Sequence, residues 1–323
     1  MASQARHYSV AHIGTRASRD VVPLESENQF MRALLFSIRA RLPRVSDIRD
    51  RRTLECADGF PQTCGMPAKV IAVANQKGGV GKTTTAVNVA ACAAAVGKRV
   101  LLFDLDPQAN ATSGLGLEKT EGGSAYRPLL GEGGLLEKIQ ATAFERLEVI
   151  PSEVDLCGAD IELARSENHL HRAAIALKPV LESERFDLVI VDCPPSLGIL
   201  TLNAFAAADG LLVPLQCEYY ALEGISMVGR IMAQLKDNGV NPRLELTGVV
   251  MTMYDGRTKL SQQVVSEVRE HFGERVFETM IPRTTKLAEA PSFGKPIMYY
   301  DPYNPATAAY ELLAQELLKR LGM

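Results

Sequence analysis

The chain has no run approaching the ~18 consecutive apolar residues of a membrane span, and its first 30 residues lack the basic-then-apolar order of a signal peptide. It is therefore read as neither membrane-spanning nor exported. None of its six cysteines (Cys56, Cys64, Cys92, Cys157, Cys193, Cys217) falls at C-x-x-C spacing, which argues against a zinc site, a redox motif or a disulfide framework and points to a reducing cytosol. Lysine is missing from the first 68 positions. Positive charge is not in excess either: the formal net charge is -3, so any surface that holds nucleic acid has to be a local patch. Internal repeats are also absent, which speaks against a tandem two-lobed architecture.

What is present is an ordinary globular composition, 46% hydrophobic over 323 residues, enough for one large α/β domain or two small ones. Residues 1–65 stand apart, with ten arginines, no lysine and seven acids. Within them Gln29 to Leu42 can form a short amphipathic helix, but nothing around it reads as a packed domain. This leader is expected to be disordered or non-native, with the compact domain spanning residues 66–323 and Met66 a candidate first residue.

From Lys69 onward, strand-like runs (69–75, 99–106, 147–152, 186–193, 210–216, 244–253 and 276–282) alternate with helical ones such as 83–96 and 260–272. Several of the strand runs are continuously apolar, as strands buried on both faces of a parallel sheet are. The expected fold is α/β: a doubly wound, mostly parallel sheet flanked by helices.

The sharpest motif is Lys77-Gly78-Gly79-Val80-Gly81-Lys82-Thr83-Thr84, placed between a strand and an alanine-rich helix. Glycines let a loop curl so that its N–H groups face phosphate oxygens, and the helix N-terminus adds favourable potential. Lys82 is expected to reach the β- and γ-phosphates of ATP, with the Thr83 hydroxyl on Mg²⁺. Two carboxylate motifs follow. Asp104 and Asp106, in Leu101-Leu102-Phe103-Asp104-Leu105-Asp106-Pro107-Gln108, end a buried strand, where open α/β sheets place ligand groups; the alternative is a pair of turn or helix-capping residues. Asp192 ends Leu188-Val189-Ile190-Val191, the arrangement that holds Mg²⁺, commonly through water. Its neighbour Cys193 has no set of companion cysteines for an iron–sulfur cluster and reads as a small buried residue. Asn110 to Gly116 lacks the final glycine and the preceding strand of a dinucleotide fingerprint, and reads as a switch segment.

KGGVGKTT resembles the deviant Walker-A box of the ParA/MinD superfamily of P-loop ATPases, whose signature is the extra lysine, here Lys77. The DxDPQ element around Asp106, the stretch Cys217 to Gly224, and Ile281 to Pro296 are similar to the chromosomal ParA/Soj branch, and order and spacing match from about Lys69 to Leu321. The resemblance implies a sandwich homodimer around two ATP molecules, with Lys77 reaching the other subunit's nucleotide. It also implies that Asp106 positions or activates the attacking water, with Asp104 nearer the metal and the switch. It implies further a slow ATPase stimulated by a ParB-type partner, and nucleoid association in the cytoplasm for chromosome or plasmid segregation. Binding to double-stranded DNA without sequence preference is carried over to Arg257 and Lys286. Lysine at 286 stands where the family has arginine, keeping charge but losing bidentate geometry, and either residue alone can equally be a solvated surface charge. The rival within the superfamily is a MinD-like membrane-associated positioning ATPase with an amphipathic C-terminal helix. Here Leu313, Leu317 and Leu321 at four-residue spacing suit a helix docked on a core, with only Lys319 and Arg320 for lipid headgroups, so a membrane partner is not expected.

Overall fold

The computed structural model describes residues 68–219 and 221–323; the leader, its Gln29 to Leu42 segment and Tyr220 lie outside the described residues. The first strand, β1 (Lys69–Val73), leads through the glycine loop into α1 (Lys82–Ala95), and β2 (Val100–Asp104) follows. Next come α2 (Asn110–Gly114), α3 (Tyr126–Leu130), β3 (Gln140–Ala141), β4 (Leu147–Ile150), α4 (Leu156–Leu163) and α5 (Arg172–Glu182). Then β5 (Leu188–Asp192), α6 (Ile199–Ala207), β6 (Gly210–Gln216), α7 (Ala221–Asp237), β7 (Glu245–Tyr254) and α8 (Lys259–Phe272) alternate. The chain closes with β8 (Val276–Pro282), α9 (Lys286–Glu289), α10 (Ile297–Tyr300) and α11 (Pro305–Arg320).

The eight strands form one sheet in the order β3-β4-β2-β5-β1-β6-β7-β8. Every ladder is parallel except β3–β4, which bears out the doubly wound reading. β2 and β5 are buried along their whole length, as their continuously apolar sequences require. The chain moves outward from β1 in both directions, so the carboxyl ends of β1, β2 and β5 open on a crevice, the usual ligand position in such sheets. Register sets the chemistry there: Asp104 pairs with Asp192 across β2 and β5, and Val73 pairs with Asp192 across β1 and β5.

The expected strand ends shift for local reasons. β2 stops at Asp104 rather than 106 because the Asp104 side chain accepts the Asp106 N–H at 3.2 Å, turning the chain out of the ladder. The two-residue β3 was not expected; its antiparallel pairing of Gln140 with Val149 is a tertiary choice with no periodicity behind it.

α1 is buried nearly all round, from Thr85 to Ala94. Its alanines let the sheet approach on one side and α11 on the other. α11 begins with an Asn304 side chain accepting the Ala306 N–H and Pro305 in the first turn. It buries Tyr310, Leu313, Ala314 and Leu317 to 1% exposure or less in the core shared with α1. At its end Arg320 donates to the carbonyls of Thr247, Arg275 and Val276 and lies over the Phe277 ring. The leucine stripe of the terminal helix is thus core packing, and among the described residues no helix is long and apolar enough to cross a membrane.

Candidate nucleotide site

The glycine loop is held at both ends by side chains, one just after β1 and one from β7. Asn75 donates to the Pro214 carbonyl at 2.8 Å and accepts the Lys77 N–H at 3.0 Å, while Thr252 of β7 donates to the Val80 carbonyl at 2.8 Å. Gly79 and Gly81 take φ of +74° and +88°, a region where a side chain is strained, and a Cβ built on Gly78 or Gly79 meets nothing within 4 Å. The loop is therefore an open cradle. Gly81 caps α1 without a side-chain bond, leaving first-turn N–H groups for an anion.

Lys82 is 7% exposed and, among the described residues, its Nζ donates to the Lys77 carbonyl alone, at 3.1 Å. Burial lowers its pKa, and the charges of Asp192 and Asp106 oppose that. A buried ammonium with a single neutral acceptor is a strong anion ligand in waiting. Lys77 behaves differently: half-exposed, it binds Glu218 Oε2 at 2.6 Å, and Glu218 also takes a bond from Gln216.

Asp192 is fully buried, and among the described residues neither carboxylate oxygen completes a hydrogen bond. Burial raises its pKa well above the usual carboxylate range and the Asp104 charge adds to this; the nearby Thr83 hydroxyl and Lys82 pull the other way. An orphaned buried carboxylate beside a hydroxyl at the mouth of a phosphate cradle fits a hard, oxygen-seeking dication such as Mg²⁺. Asp104 is equally buried but satisfied, accepting the Thr112 N–H at 2.8 Å, its hydroxyl at 2.7 Å and the Asp106 N–H. Burial still pushes its pKa up to about 6, with those bonds resisting. Asp106, 5% exposed, accepts the Gln108 N–H at 3.0 Å, and its carbonyl takes the Ser152 hydroxyl at 2.6 Å.

The sequence-derived residues Lys77, Gly78 to Thr84, Asp104, Asp106 and Asp192 thus converge on one crevice. Arg257 and Lys286 lie outside it, on the segments after β7 and β8. Those strands end in register, Tyr254 opposite Pro282, so both cations rise from the same rim of the sheet as the crevice. Each is held by an acid: Arg257, 90% exposed, pairs with Asp255 at 2.7 Å, and Lys286 pairs with Glu289 at 2.8 Å.

Sequence reading missed Glu218, Thr112 and Ser152 as individual partners, although Glu218 and Thr112 sit in stretches it singled out. It also missed a cavity of 360 Å³ beside Gly81 and Thr84, walled by Thr252, Met253, Pro282 and Tyr310. Met253 has φ +52°, an outlier of the kind that clusters at ligand sites. A larger groove of 660 Å³ between β8 and α11 contains none of these groups.

Strand order and loop together define the class: a P-loop nucleotide-binding fold, with Lys77 marking the deviant Walker-A branch. The AAA_31 family, described as an AAA domain, matches residues 68–246. The chain is 46% identical over 79% of its length to a Caulobacter vibrioides chromosome partitioning protein ParA, covering 95% of that protein. It is 52% identical over 78% of its length to a Thermus thermophilus chromosome-partitioning ATPase Soj, covering 96% of it. A solved structure of Mycobacterium smegmatis cobyrinic acid a,c-diamide synthase with ADP and magnesium superposes with a TM-score of 0.68 at 35% identity, over 79% of this chain and 96% of that one. The chain belongs to the ParA/Soj family of P-loop ATPases.

Proposed function

We propose that this chain is an ATP-dependent partitioning ATPase, with residues 66–323 as its ATPase domain, acting in the cytoplasm on the nucleoid. The observation that carries the reading is the buried, under-satisfied pair of Lys82 and Asp192 beneath a glycine loop that also contains Lys77. Lys82 and the loop N–H groups hold the β- and γ-phosphates of ATP. The base enters the cavity beside Gly81 and Thr84, with Met253 and Pro282 on its walls. Thr83 and Asp192, with Asp104 behind them, hold Mg²⁺, which when bound neutralises charge on the phosphates. Asp106 positions the attacking water. Lys77 exchanges its bond with Glu218 for the nucleotide of a second subunit, placing a cation where negative charge develops in phosphoryl transfer.

Two ATP-joined subunits set Arg257 and Lys286 of each on one surface, where they bind double-stranded DNA by its phosphates, without reading sequence. Hydrolysis is slow alone and is stimulated by a ParB-type partner. The burial of the α11 leucines supports this reading over a MinD-like membrane-associated one. Variants test the assignment together by nucleotide binding, hydrolysis and DNA binding. Lys82→Ala loses nucleotide, Asp106→Ala binds ATP and DNA but does not hydrolyse, and Arg257→Glu dimerises with ATP but leaves DNA. Normal hydrolysis by Asp106→Ala contradicts the water-positioning role.

A further inference from the structure

The DNA-facing lysine is not free in this structure. Lys286 Nζ binds Glu289 Oε2 at 2.8 Å, and the same oxygen accepts the Tyr300 hydroxyl at 2.9 Å. The ammonium also sits 5.7 Å from the centre of the Tyr300 ring. Glu289 is thus held by two donors at once while it neutralises the cation. The pair is 44% and 42% exposed, and pairs of that exposure are weak enough to be exchanged for a phosphate when their geometry is disturbed.

A continuous set of contacts runs from this trio to the nucleotide crevice. The Phe293 ring stacks on Tyr300 with centroids 4.9 Å apart, although Phe293 is 62% exposed; stacking, not burial, places it. The next residue, Gly294, has φ +62°, and a Cβ there would lie 2.5 Å from the Gly116 Cα and 2.9 Å from its nitrogen. Gly116, at φ +78°, is in turn blocked by the Gly294 carbonyl. The two backbones touch with no side chain between them, so displacement of one is transmitted to the other. Gly116 ends the segment that starts at the crevice carboxylates: Asp106 fixes Gln108, Asp104 fixes Thr112, and the Gly116 N–H bonds the Ser113 carbonyl.

The segment has room to move. A cavity of 290 Å³ separates α2 from the 287–295 stretch over the start of α1, with Thr84, Val87, Ser113, Ala290 and Pro291 among its walls; a close-packed interior would not permit such displacement. The far end is pinned, since the Ile297 N–H bonds Asn88 of α1 at 2.7 Å. The stretch can therefore pivot about 297 while its 294 end follows α2.

We propose that Glu289 and Tyr300 form a catch on Lys286, and that the 106–117 segment opens it when the crevice fills with ATP, through the Gly116–Gly294 contact and the Phe293–Tyr300 stack. This rests on the reading that Lys286 holds DNA phosphates, and it adds how the nucleotide reaches that lysine. The catch gives each subunit its own control of DNA affinity, separate from the tethering of two patches by dimerisation. Arg257 differs in this: its acid, Asp255, lies two residues away in the same loop, whereas Glu289, though only three residues from Lys286, is also held by Tyr300 of α10.

The test is fluorescence anisotropy of the full chain on a labelled duplex of arbitrary sequence, with a non-hydrolysable ATP analogue or with ADP, alongside fluorescent-nucleotide binding. Glu289→Gln is expected to raise DNA affinity with ADP. Phe293→Ala and Phe293→Leu are expected to bind nucleotide as the unmodified chain does while the ratio of DNA affinities between the two nucleotide states falls at least about fivefold, the low end of typical site-to-site coupling. An unchanged ratio in both Phe293 variants, with the unmodified chain binding DNA in an ATP-dependent way, overturns the catch and leaves the DNA reading standing. Failure of the unmodified chain to bind DNA in either state overturns both.

Discussion

Asp104 and Asp192 face each other across two strands, equally buried, and differ in one respect: three donors satisfy Asp104, and among the described residues no hydrogen bond is completed to Asp192. Burial and the Asp104 charge disfavour an ionised carboxylate at 192, and asparagine removes that charge at nearly the same size, so Asp192→Asn is expected to raise the Tm of the nucleotide-free protein while losing Mg²⁺-dependent hydrolysis. Thermal unfolding without nucleotide, paired with an ATPase assay, checks this; a lower Tm contradicts the assignment of Asp192 as a strained, metal-seeking carboxylate. At the rim, hydrogen bonds from Arg257 hold the Asp255 carboxyl at about 2. Because the folded-state value is depressed below the unfolded one, the stabilisation it contributes is present above the ordinary carboxylate range and disappears as pH falls toward 2. Side-chain NMR titration of Asp255 should show that midpoint, and Arg257→Ala should return it to the ordinary range. Lys82 and Asp192 were legible in sequence because each ends or follows a readable strand at the crevice. Glu218, Thr112 and Ser152 were not, because each acts on a residue 141, 8 or 46 positions away, and only the folded chain brings them together.

Elements show the same division. Strands β2 and β5 were readable as unbroken apolar runs, and their ends were not, since a side chain such as Asp104 turns the backbone where apolarity still continues at Leu105. The terminal helix α11 was readable as a docked helix from its leucine spacing, but the sequence alone left a membrane-facing alternative. Burial favours the docked helix: Leu317 is 0% exposed and Leu312 is 54% exposed. Leu317→Ala is expected to cost about 2–5 kcal/mol, the range for emptying a leucine site in a packed core, whereas Leu312→Ala leaves stability unchanged. Urea unfolding of the two variants distinguishes them; equal, small effects would mean that α11 is not core. Liposome flotation is expected to leave the protein unbound with or without ATP.

For the whole molecule, a net charge of -3 is compatible with the DNA binding proposed above if the basic groups are gathered locally. Arg257 and Lys286 follow two strands that end in register, on the rim where the nucleotide crevice opens, the placement that the proposed ATP-joined dimer requires of them. Removing one phosphate-binding cation should reduce the slope of log affinity against log salt by about 0.9, and Lys286→Ala should show that change. The central claim, that ATP gates sequence-blind DNA binding, is tested most directly by co-sedimentation of the protein with unrelated DNA sequences in ATP, ADP or no nucleotide at two salt concentrations. The predicted result is binding with ATP alone, equal across sequences and weakened by salt. Absence of binding in every nucleotide state, or binding that ignores the nucleotide, would contradict it.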